Sequence, residues 1–325
     1  MIINIDDLSK VRVLVVGDLM FDEYLWGNVK RVSPEAPVPI VNVQKQNYTL
    51  GGAGNVISNL VAMKAKVFAI GTVGKDEAGA NMAEMFKKIG IKTNGIISEP
   101  FRHTTRKTRI IAEGQHVLRV DKETNKKVNN NTLDKILTLI KKKIADTDLI
   151  IISDYNKGLV SKKLVKQIVK FAKQYNKMVL ADPKALNFSK YKNVSVLTPN
   201  KKEAGLAANM DINSTKKLFR AGEIIIKQAC LEKLLITCGK DGMALFEKDK
   251  KPFLIKSKAK QVFDVSGAGD TVISLLGLGL AIGADFNQSA ILANTAAGIV
   301  IGKIGTAVAK IDELKREYKK IKSKI

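Results

Sequence analysis

Short runs of apolar, β-branched residues alternate along the chain with longer segments in which apolar residues recur at helical spacing. The runs predict strands at 13–16, 67–70, 149–152, 178–180, 194–197 and 234–237, and helices at 55–63, 77–89, 163–175 and 272–282. Strand–helix alternation is typical of a mostly parallel sheet that is covered by helices on both faces. The pattern therefore predicts an α/β fold.

Two stretches depart from this alternation. Residues 26–48 contain three prolines and an alternating apolar run from Val38 to Val43, and residues 104–120 predict two strands around a turn at 113–115. Such alternation is typical of half-exposed antiparallel strands. We predict a small antiparallel β lid, formed by segments at about 22–49 and 102–121, on a single domain that spans residues 1–325.

The charge is strongly basic. The 325 residues include 55 Lys and Arg against 31 Asp and Glu, which gives a net charge of +24. Nucleic-acid binding is one interpretation of such a charge. However, the lysines are scattered on the polar faces of predicted helices, and a single Trp offers no stacking platform for single strands. A solvated surface that attracts anionic substrates is therefore favoured, and no specific nucleic-acid partner is expected.

Targeting signals are missing from the sequence. No run reaches the roughly 18 to 20 apolar residues of a membrane helix. The N-terminus lacks the basic start and long apolar run of a signal peptide, and Cys230 and Cys238 imply no disulfide framework. A cytoplasmic protein without a membrane partner is predicted.

The strongest chemical motif is residues 264–271, Asp-Val-Ser-Gly-Ala-Gly-Asp-Thr, which a predicted helix follows. Gly267, Ala268 and Gly269 let the backbone turn its N–H groups toward one point, and the helix N-terminus adds partial positive charge. This arrangement suits an anion cradle, in which Asp270 is placed to accept a proton from a hydroxyl. A plain helix cap is the alternative interpretation.

Other polar residues stand at predicted strand ends or helix starts. Gly52 and Asn55 open a helix, and Asp18 and Asp22 follow the first strand, where carboxylates suit a polyol. Asn200 and Glu203 lie three residues apart at a helix start. They would either hold Mg²⁺ through water or form a capping box.

Taken together, these segments resemble the ribokinase (PfkB) family of sugar kinases. Gly-Gly-Ala-Gly-Asn at 51–55 and Asp-Val-Ser-Gly-Ala-Gly-Asp at 264–270 resemble the two defining motifs of that family, in the same order. Within it, residues 31–39, 17–22, 153–158, 182–184 and 197–200 are most similar to heptose 7-phosphate kinases. The resemblance covers about residues 13–307 and implies a ribokinase-like fold, an ATP-dependent kinase and, because no nucleotidyltransferase domain follows, a stand-alone kinase.

The resemblance also implies roles for individual residues. Asp270 would deprotonate the C1 hydroxyl of the sugar, beside an anion hole of Gly267, Ala268 and Gly269. The sugar hydroxyls would be held by Asp18, Asp22, Gly52 and Asn55, with Asp182 also at the substrate. The 7-phosphate would meet Lys107, Arg109, Lys157 and Lys184. The nucleotide would be framed by Asn200, Glu203, Thr237, Gly239, Gly242 and Asn294, with Mg²⁺ reached by Glu203 through water.

Two further implications concern an ion and a partner. Some relatives bind a monovalent cation such as K⁺, for which Asp264 and Ser266 hold fitting positions, although Ala309 replaces an oxygen ligand. The lid often pairs two protomers, which implies a homodimer.

The predicted reaction yields a heptose 1,7-bisphosphate for surface polysaccharide. The alternatives are a kinase for ribose or a fructose phosphate, a nucleic-acid-binding protein, and a sugar sensor without catalysis.

Overall fold

The apolar runs of the sequence form the strands of a central sheet. A computed structural model describes residues 3–184, 187–257, 264–303 and 305–322. Within these residues the strands are β1 (Arg12–Gly17), β2 (Leu19–Val32), β3 (Pro39–Gly52), β4 (Lys66–Gly74), β5 (Ile96–Glu99), β6 (Thr105–Ala112), β7 (Gln115–Lys122), β8 (Leu149–Ser153), β9 (Met178–Asp182), β10 (Val196–Leu197), β11 (Lys233–Thr237), β12 (Met243–Glu247) and β13 (Phe253–Ile255).

Helices connect these strands and cover the sheet. They are α1 (Ala53–Ala62), α2 (Glu77–Lys88), α3 (Asn130–Lys143), α4 (Lys162–Gln174), α5 (Lys201–Ala207), α6 (Thr215–Ala229), α7 (Ala268–Ala281), α8 (Phe286–Val300) and α9 (Ile311–Lys322). The nine-stranded sheet has the order β13-β12-β11-β10-β9-β8-β1-β4-β5. Only its edge pairings, β11 with β12 and β12 with β13, are antiparallel, so the predicted mostly parallel sheet is confirmed.

Successive residues of the central strands face opposite sides of the sheet. In β1, Val13 and Val15 belong to the hydrophobic cluster that includes α1, α7 and α8, whereas Leu14 and Val16 belong to the cluster under α3, α4 and α6. This alternation follows from the two-residue period of a strand. Both faces are apolar because both carry helices.

The lid is a mixed sheet, which corrects the prediction of an antiparallel one. Its order is β3-β2-β6-β7, and the central pair, β2 with β6, is parallel. The reason lies in the main sheet: β2 follows β1, and β6 follows β5, and these two strands run in the same direction. Both lid strands therefore leave the same edge and run outward together.

The helix after the Gly-Ala-Gly motif begins earlier than its apolar pattern predicts. α7 starts at Ala268 rather than Val272, with Gly267 at its N-cap in a left-handed conformation (φ 78°). Glycine tolerates this backbone conformation, so the helix can begin directly after it. Gly269 and Asp270 consequently lie in the first turn of the helix.

Candidate active site at the carboxyl edge of the sheet

Polar residues gather where the adjacent strands β1, β8, β9, β10 and β11 end. Because these strands are parallel neighbours, the residues that follow them meet at one edge, the usual ligand site of an open α/β sheet. Asp18 follows β1, Asp154 follows β8 and Asn200 follows β10, while Asp182 and Thr237 are the last residues of β9 and β11. The predicted common rim is present in the fold.

Asp270 lies buried at the centre of this rim. Asn55 Nδ2 donates to its Oδ2 at 2.7 Å, and the Tyr155 hydroxyl donates to its Oδ1 at 2.8 Å. Burial raises the pKa of Asp270 to about 6, the hydrogen bonds from Asn55 and Tyr155 oppose this rise, and the charge of Asp22 adds to it. A carboxylate with a pKa near the working pH suits general base catalysis.

Asp270 lies in the first turn of α7. The first turn of a helix leaves backbone N–H groups without intrahelical acceptors, and its dipole favours negative charge. The Ala268 N–H already donates to the Val265 carbonyl at 3.3 Å, and Gly269 lies near Asp182. A Cβ at Gly267 would approach Asn55 Nδ2 to 2.4 Å, so only glycine fits between the cap and Asn55.

A buried chain of hydrogen bonds fixes Asn55. The Thr271 hydroxyl donates to Asn59 Oδ1 at 2.9 Å, and Asn59 Nδ2 donates to the Asn55 carbonyl at 2.9 Å and to Asn55 Oδ1 at 3.3 Å. The bond from Asn55 to Asp270 completes the chain and joins the two predicted glycine-rich motifs. Gly52, one of the three glycines of the first motif, adopts φ 57° directly before α1.

Asp18 lies beneath the loop that follows β8. Its carboxylate accepts backbone N–H groups of Tyr155 (2.9 Å), Lys157 (3.1 Å) and Leu159 (3.3 Å) and is 3% exposed. Burial and the nearby Asp154 raise its pKa against these three bonds. Asp18 therefore orders loop 154–159, and one of its roughly four acceptor positions is left for a further donor.

Asp22 reaches the site from the lid. Its Oδ1 accepts Arg109 Nη1 at 2.7 Å, and a Cβ at Gly51 would lie 2.2 Å from its Oδ2. Arg109 also lies over the Tyr24 ring at 5.2 Å, on the same lid face. Asp22 and Arg109 thus form a paired carboxylate and guanidinium close to Asp270.

The four predicted phosphate-binding cations lie in three separate places. Lys107 Nζ contacts Asp121 at 2.9 Å and Glu123 at 3.2 Å, and Lys157 Nζ contacts the same Glu123 at 2.7 Å. Arg109 pairs with Asp22. Lys184 Nζ instead contacts Glu203 Oε1 at 2.6 Å, on the side of the site predicted for the nucleotide.

Asp182 is partly buried and lies near the first turn of α7, where its Oδ2 is 4.0 Å from the Cβ position of Gly269. The Thr198 hydroxyl donates to its Oδ1 at 3.2 Å. Desolvation and the charge of Asp270 hold the pKa of Asp182 well above its usual range.

Five of the six predicted nucleotide residues follow β10 or lie at the end of β11, whereas Asn294 lies on α8. Asn200 caps α5 by accepting the Glu203 N–H at 2.9 Å, and Glu203 Oε2 accepts the Asn200 N–H at 3.0 Å, so the capping-box alternative is present. Thr237 pairs with Asn200. Gly239 and Gly242 have φ 58° and 95°, and Asn294 of α8 donates to the Lys256 carbonyl at 2.8 Å.

Few side chains of this site could bind a metal ion directly. Within the described parts of the chain, no group of three or more His, Cys, Asp or Glu side chains is arranged to hold a metal ion. Both oxygens of Glu203 carry donors, so this carboxylate fits Mg²⁺ through water rather than direct coordination. ATP phosphates would supply the direct ligands.

Asp264, which was predicted to bind a monovalent cation, already accepts hydrogen bonds from the backbone. Asp264 Oδ1 accepts the Ser266 N–H at 2.8 Å, and Oδ2 accepts the Gly305 N–H at 3.1 Å. Burial opposes ionisation, but these bonds outweigh it and lower the pKa of Asp264. Ala309 is buried and its side chain has no oxygen, so the side chains offer a sparse donor set for K⁺.

Sequence reasoning missed three contacts of the site: the Tyr155 hydroxyl on Asp270, the Asn59–Thr271 link, and Glu123 between two lysines. The position of Tyr155 directly after β8 and Asp154 was a usable signal. The other two contacts depend on packing between distant segments. Among the described helices, none is long and apolar enough to cross a membrane.

Comparison with known proteins places this geometry among kinases. A family model described as pfkB family carbohydrate kinase matches residues 10–313. Bifunctional protein HldE of Desulfatibacillum aliphaticivorans is 48% identical over 309 residues, which are 95% of this chain and 63% of that protein. The chain spans less than two thirds of the length of the curated relatives it matches.

Solved structures share the fold. Ribokinase of Arabidopsis thaliana, complexed with ribose and ATP, has a TM-score of 0.76 at 17% identity and covers 95% of this chain and 99% of its own. Phosphofructokinase-2 of Escherichia coli, in complex with potassium, has a TM-score of 0.77 at 14% identity, with coverages of 96% and 99%. At these identities the likeness shows the fold alone, and the predicted ribokinase-like fold is confirmed.

Proposed function

Because the chain belongs to the pfkB family of carbohydrate kinases, we propose that it transfers the γ-phosphoryl group of ATP to the C1 hydroxyl of a heptose 7-phosphate. The coarser statement, an ATP-dependent carbohydrate kinase that binds a sugar and ATP, follows from the family and confirms the predicted enzyme class. The site at Asp270 supplies the chemistry of the finer proposal.

The observation that carries the mechanism is the buried carboxylate of Asp270 at the N-terminus of α7. In the proposed step, Asp270 takes the proton of the C1 hydroxyl, whose oxygen then bonds to the γ-phosphorus while the bond to the β-γ bridging oxygen breaks. ADP leaves with the electron pair of that bond. The backbone N–H groups and dipole of α7 stabilise the charge on the transferred group.

The order of the strands supports a division of the site into two ends. Asp22 and Lys157 come from β2 and from the loop after β8, and Asn200 and Thr237 from the region of β10 and β11. β9, with Asp182, lies between them. We assign the first group to the sugar phosphate and the second to the nucleotide, where Mg²⁺ bound with ATP would neutralise phosphate charge and Glu203 would reach it through water.

Two of the predicted cations support a phosphorylated sugar. Lys107 and Lys157 share Glu123, so two ammonium groups converge at the sugar end of the site. A phosphate dianion at this point would replace Glu123 as their common partner. Lys184 contacts Glu203. We therefore assign Lys184 to the nucleotide end of the site rather than to the sugar phosphate.

The identity of the heptose rests on similarity. Residues 31–39, 153–158 and 182–184 resemble heptose 7-phosphate kinases, and the similarity to proteins named HldE supports a heptose-phosphate substrate. A heptose 1,7-bisphosphate would serve surface polysaccharide synthesis, and a cytoplasmic location would supply the ATP.

We also propose that two copies pair through the lid. Both edge strands of the lid expose apolar side chains: Val43 of β3 is 46% exposed, and Leu118 and Val120 of β7 are 53% and 50% exposed. Exposed apolar edge strands are typical of an interaction surface. A second copy of this chain presents the same surface and would cover it.

Substrate identity is tested by ADP release with Mg-ATP and a panel of acceptors: heptose 7-phosphate, fructose 6-phosphate, ribose and no sugar. The proposal predicts turnover with heptose 7-phosphate and the largest kcat/KM for it. A larger kcat/KM for ribose or fructose 6-phosphate would overturn the substrate while leaving the family role intact. Absence of any sugar-dependent ADP release would overturn the kinase reaction itself.

A further inference from the structure

Both carboxylate oxygens of Asp270 already carry a hydrogen-bond donor. Asn55 Nδ2 lies 2.7 Å from Oδ2, and the Tyr155 hydroxyl lies 2.8 Å from Oδ1. A hydroxyl that gives its proton to Asp270 must come within about 2.6–3.2 Å of one of these oxygens. Each carboxylate oxygen can accept about two hydrogen bonds, so the acceptor hydroxyl either shares an oxygen of Asp270 with the donor already there or displaces that donor.

Asn55 is the donor that is held in place. It lies in the first turn of α1, is 1% exposed, and is tied to Asn59, which is in turn tied to Thr271 of α7. Moving its amide would break bonds across two packed helices. Gly267 also closes the space beside its Nδ2.

Tyr155 is the donor that lies nearer the surface. It is partly exposed and lies on the loop between β8 and α4, next to the exposed Asn156, which has a positive φ of 56°. The loop is anchored through its backbone, since Asp18 accepts the N–H groups of Tyr155 and Lys157. Rotation of the phenol ring about its side-chain torsions would leave these backbone bonds in place.

We propose that Tyr155 is a placeholder at the base: before the sugar binds, its hydroxyl occupies the position on Asp270 Oδ1 that the acceptor hydroxyl later takes, and sugar binding displaces it. This inference rests on the proposed function. In this role Tyr155 is a positioning residue, because it acts by orienting the Asp270 carboxylate and keeping it ionised until the sugar arrives.

The surroundings of Asp270 make the effect of this hydroxyl measurable. The groups that face the carboxylate are Asn55 from α1, Tyr155 after β8, Asp22 from β2 and Asp182 from β9. Asn55 and Tyr155 are donors that favour the charged form of Asp270, whereas burial and the charge of Asp22 oppose it. Removing the Tyr155 hydroxyl leaves one donor against the same burial and charge, so the pKa of Asp270 in the sugar-free enzyme should rise.

The test compares Tyr155→Phe with the parent over pH 5.5–9 at saturating Mg-ATP. The kcat/KM for the sugar reports groups of the sugar-free enzyme, whereas kcat reports groups of the complex. We expect the acid limb of kcat/KM to move up by about one pH unit in the variant, and the acid limb of kcat to stay where it is in the parent. The titration of the substrate phosphates cancels when each kinetic constant of the variant is divided by that of the parent at the same pH.

Tyr191→Phe is the matched control. The Tyr191 hydroxyl donates to Asp154, another buried carboxylate, at 2.5 Å, but does not contact Asp270. Its loss should leave both acid limbs at the parental pH even if it lowers stability. Tyr155→Leu carries the same expectation as Tyr155→Phe and replaces it if that variant does not fold.

Two results would overturn the placeholder. Equal shifts of both limbs would mean that Tyr155 remains on Asp270 in the sugar complex, and unchanged limbs would mean that its hydroxyl does not influence the base. Neither result touches the proposed function, which fails if no sugar supports ADP release, if another sugar is preferred, or if Asp270→Asn retains the parental turnover. The two failures are thus distinguishable.

Discussion

Asp270 has to be both buried and charged, and these two demands oppose each other. Burial raises its pKa to about 6, against the hydrogen bonds from Asn55 and Tyr155. An aspartate in the unfolded chain titrates near pH 3.9. The folded protein therefore binds the Asp270 proton more tightly than the unfolded chain, and this contribution to stability is present below about pH 4 and lost as the pH rises through about 6.

Asp270→Asn should consequently stabilise the fold in a pH-dependent way. Because asparagine does not titrate, the variant does not lose the stability that the parent loses between pH 4 and pH 8 as Asp270 ionises. A difference of about two pKa units corresponds to about 3 kcal/mol in the free energy of unfolding. Urea unfolding at pH 4, 6 and 8 should show that the free energy of unfolding of the variant increases relative to that of the parent as the pH rises. A difference in this free energy that stays constant over this range would contradict the raised pKa of Asp270.

Gly267 is required for both its backbone conformation and its lack of a side chain. Gly267→Ala should lose about 1–2 kcal/mol of stability from the left-handed conformation and, through the clash with Asn55 Nδ2, lower kcat about tenfold or more. Gly90→Ala is the control, because Gly90 has φ 79° but open space around its Cβ position. Gly90→Ala should lose a similar amount of stability to Gly267→Ala, but it should keep the parental kcat. Equal kcat values for the two variants would show that the Gly267–Asn55 approach does not matter to the base.

Individual residues were predictable where their motif has a local cause. The glycines and Asp270 stand in one short segment, and a helix N-terminus follows from that segment alone. Tyr155 was not assigned a role, because the reach of its hydroxyl depends on how α7 packs beside β8. Asp18 was assigned to the sugar because a carboxylate at a strand end suits a hydroxyl, and its bonds to three backbone N–H groups depend on loop packing that the sequence does not report.

At the scale of elements, the lid and loop 154–159 bring Lys107 and Lys157 together on Glu123, at the end of the site that we assign to the sugar phosphate. We predict that Lys157→Met raises the KM for a sugar 7-phosphate about tenfold, since a hydrogen bond between charged groups is lost, and leaves the KM for ATP within about twofold. Lys170→Met on the exposed face of α4 changes the net charge equally and is the control. A parental KM for the sugar phosphate in Lys157→Met would remove this lysine from the phosphate site.

The periodicity of the sequence identified most elements because it reports burial. The continuous apolar runs of β1 and β8 and the helical spacing of α4 are direct consequences of which faces are covered. Strand pairing in the lid was not predictable in the same way. The parallel pair of β2 and β6 is set by the direction of β1 and β5, which no local pattern in β2 or β6 reports.

At the scale of the whole molecule, the exposed apolar edges of the lid predict a dimer. Leu118→Lys with Val120→Lys should convert a dimer to a monomer in sedimentation at micromolar concentrations. Phe253→Lys with Leu254→Lys is the matched control, since these side chains are 48% and 47% exposed on β13, the edge of the central sheet. The control should keep the parental mass. A parent that is monomeric at these concentrations would contradict pairing through the lid.

The central claim is that Asp270 is the base of a sugar kinase, and steady-state ADP release by Asp270→Asn tests it most directly. The measurement uses saturating Mg-ATP and heptose 7-phosphate, with the parent assayed in parallel and ATP binding checked in both proteins. We predict a loss of kcat of about a thousandfold with unchanged ATP affinity, as expected when a general base is removed. A kcat within about threefold of the parent, far smaller than the usual effect of losing a base, would contradict the claim.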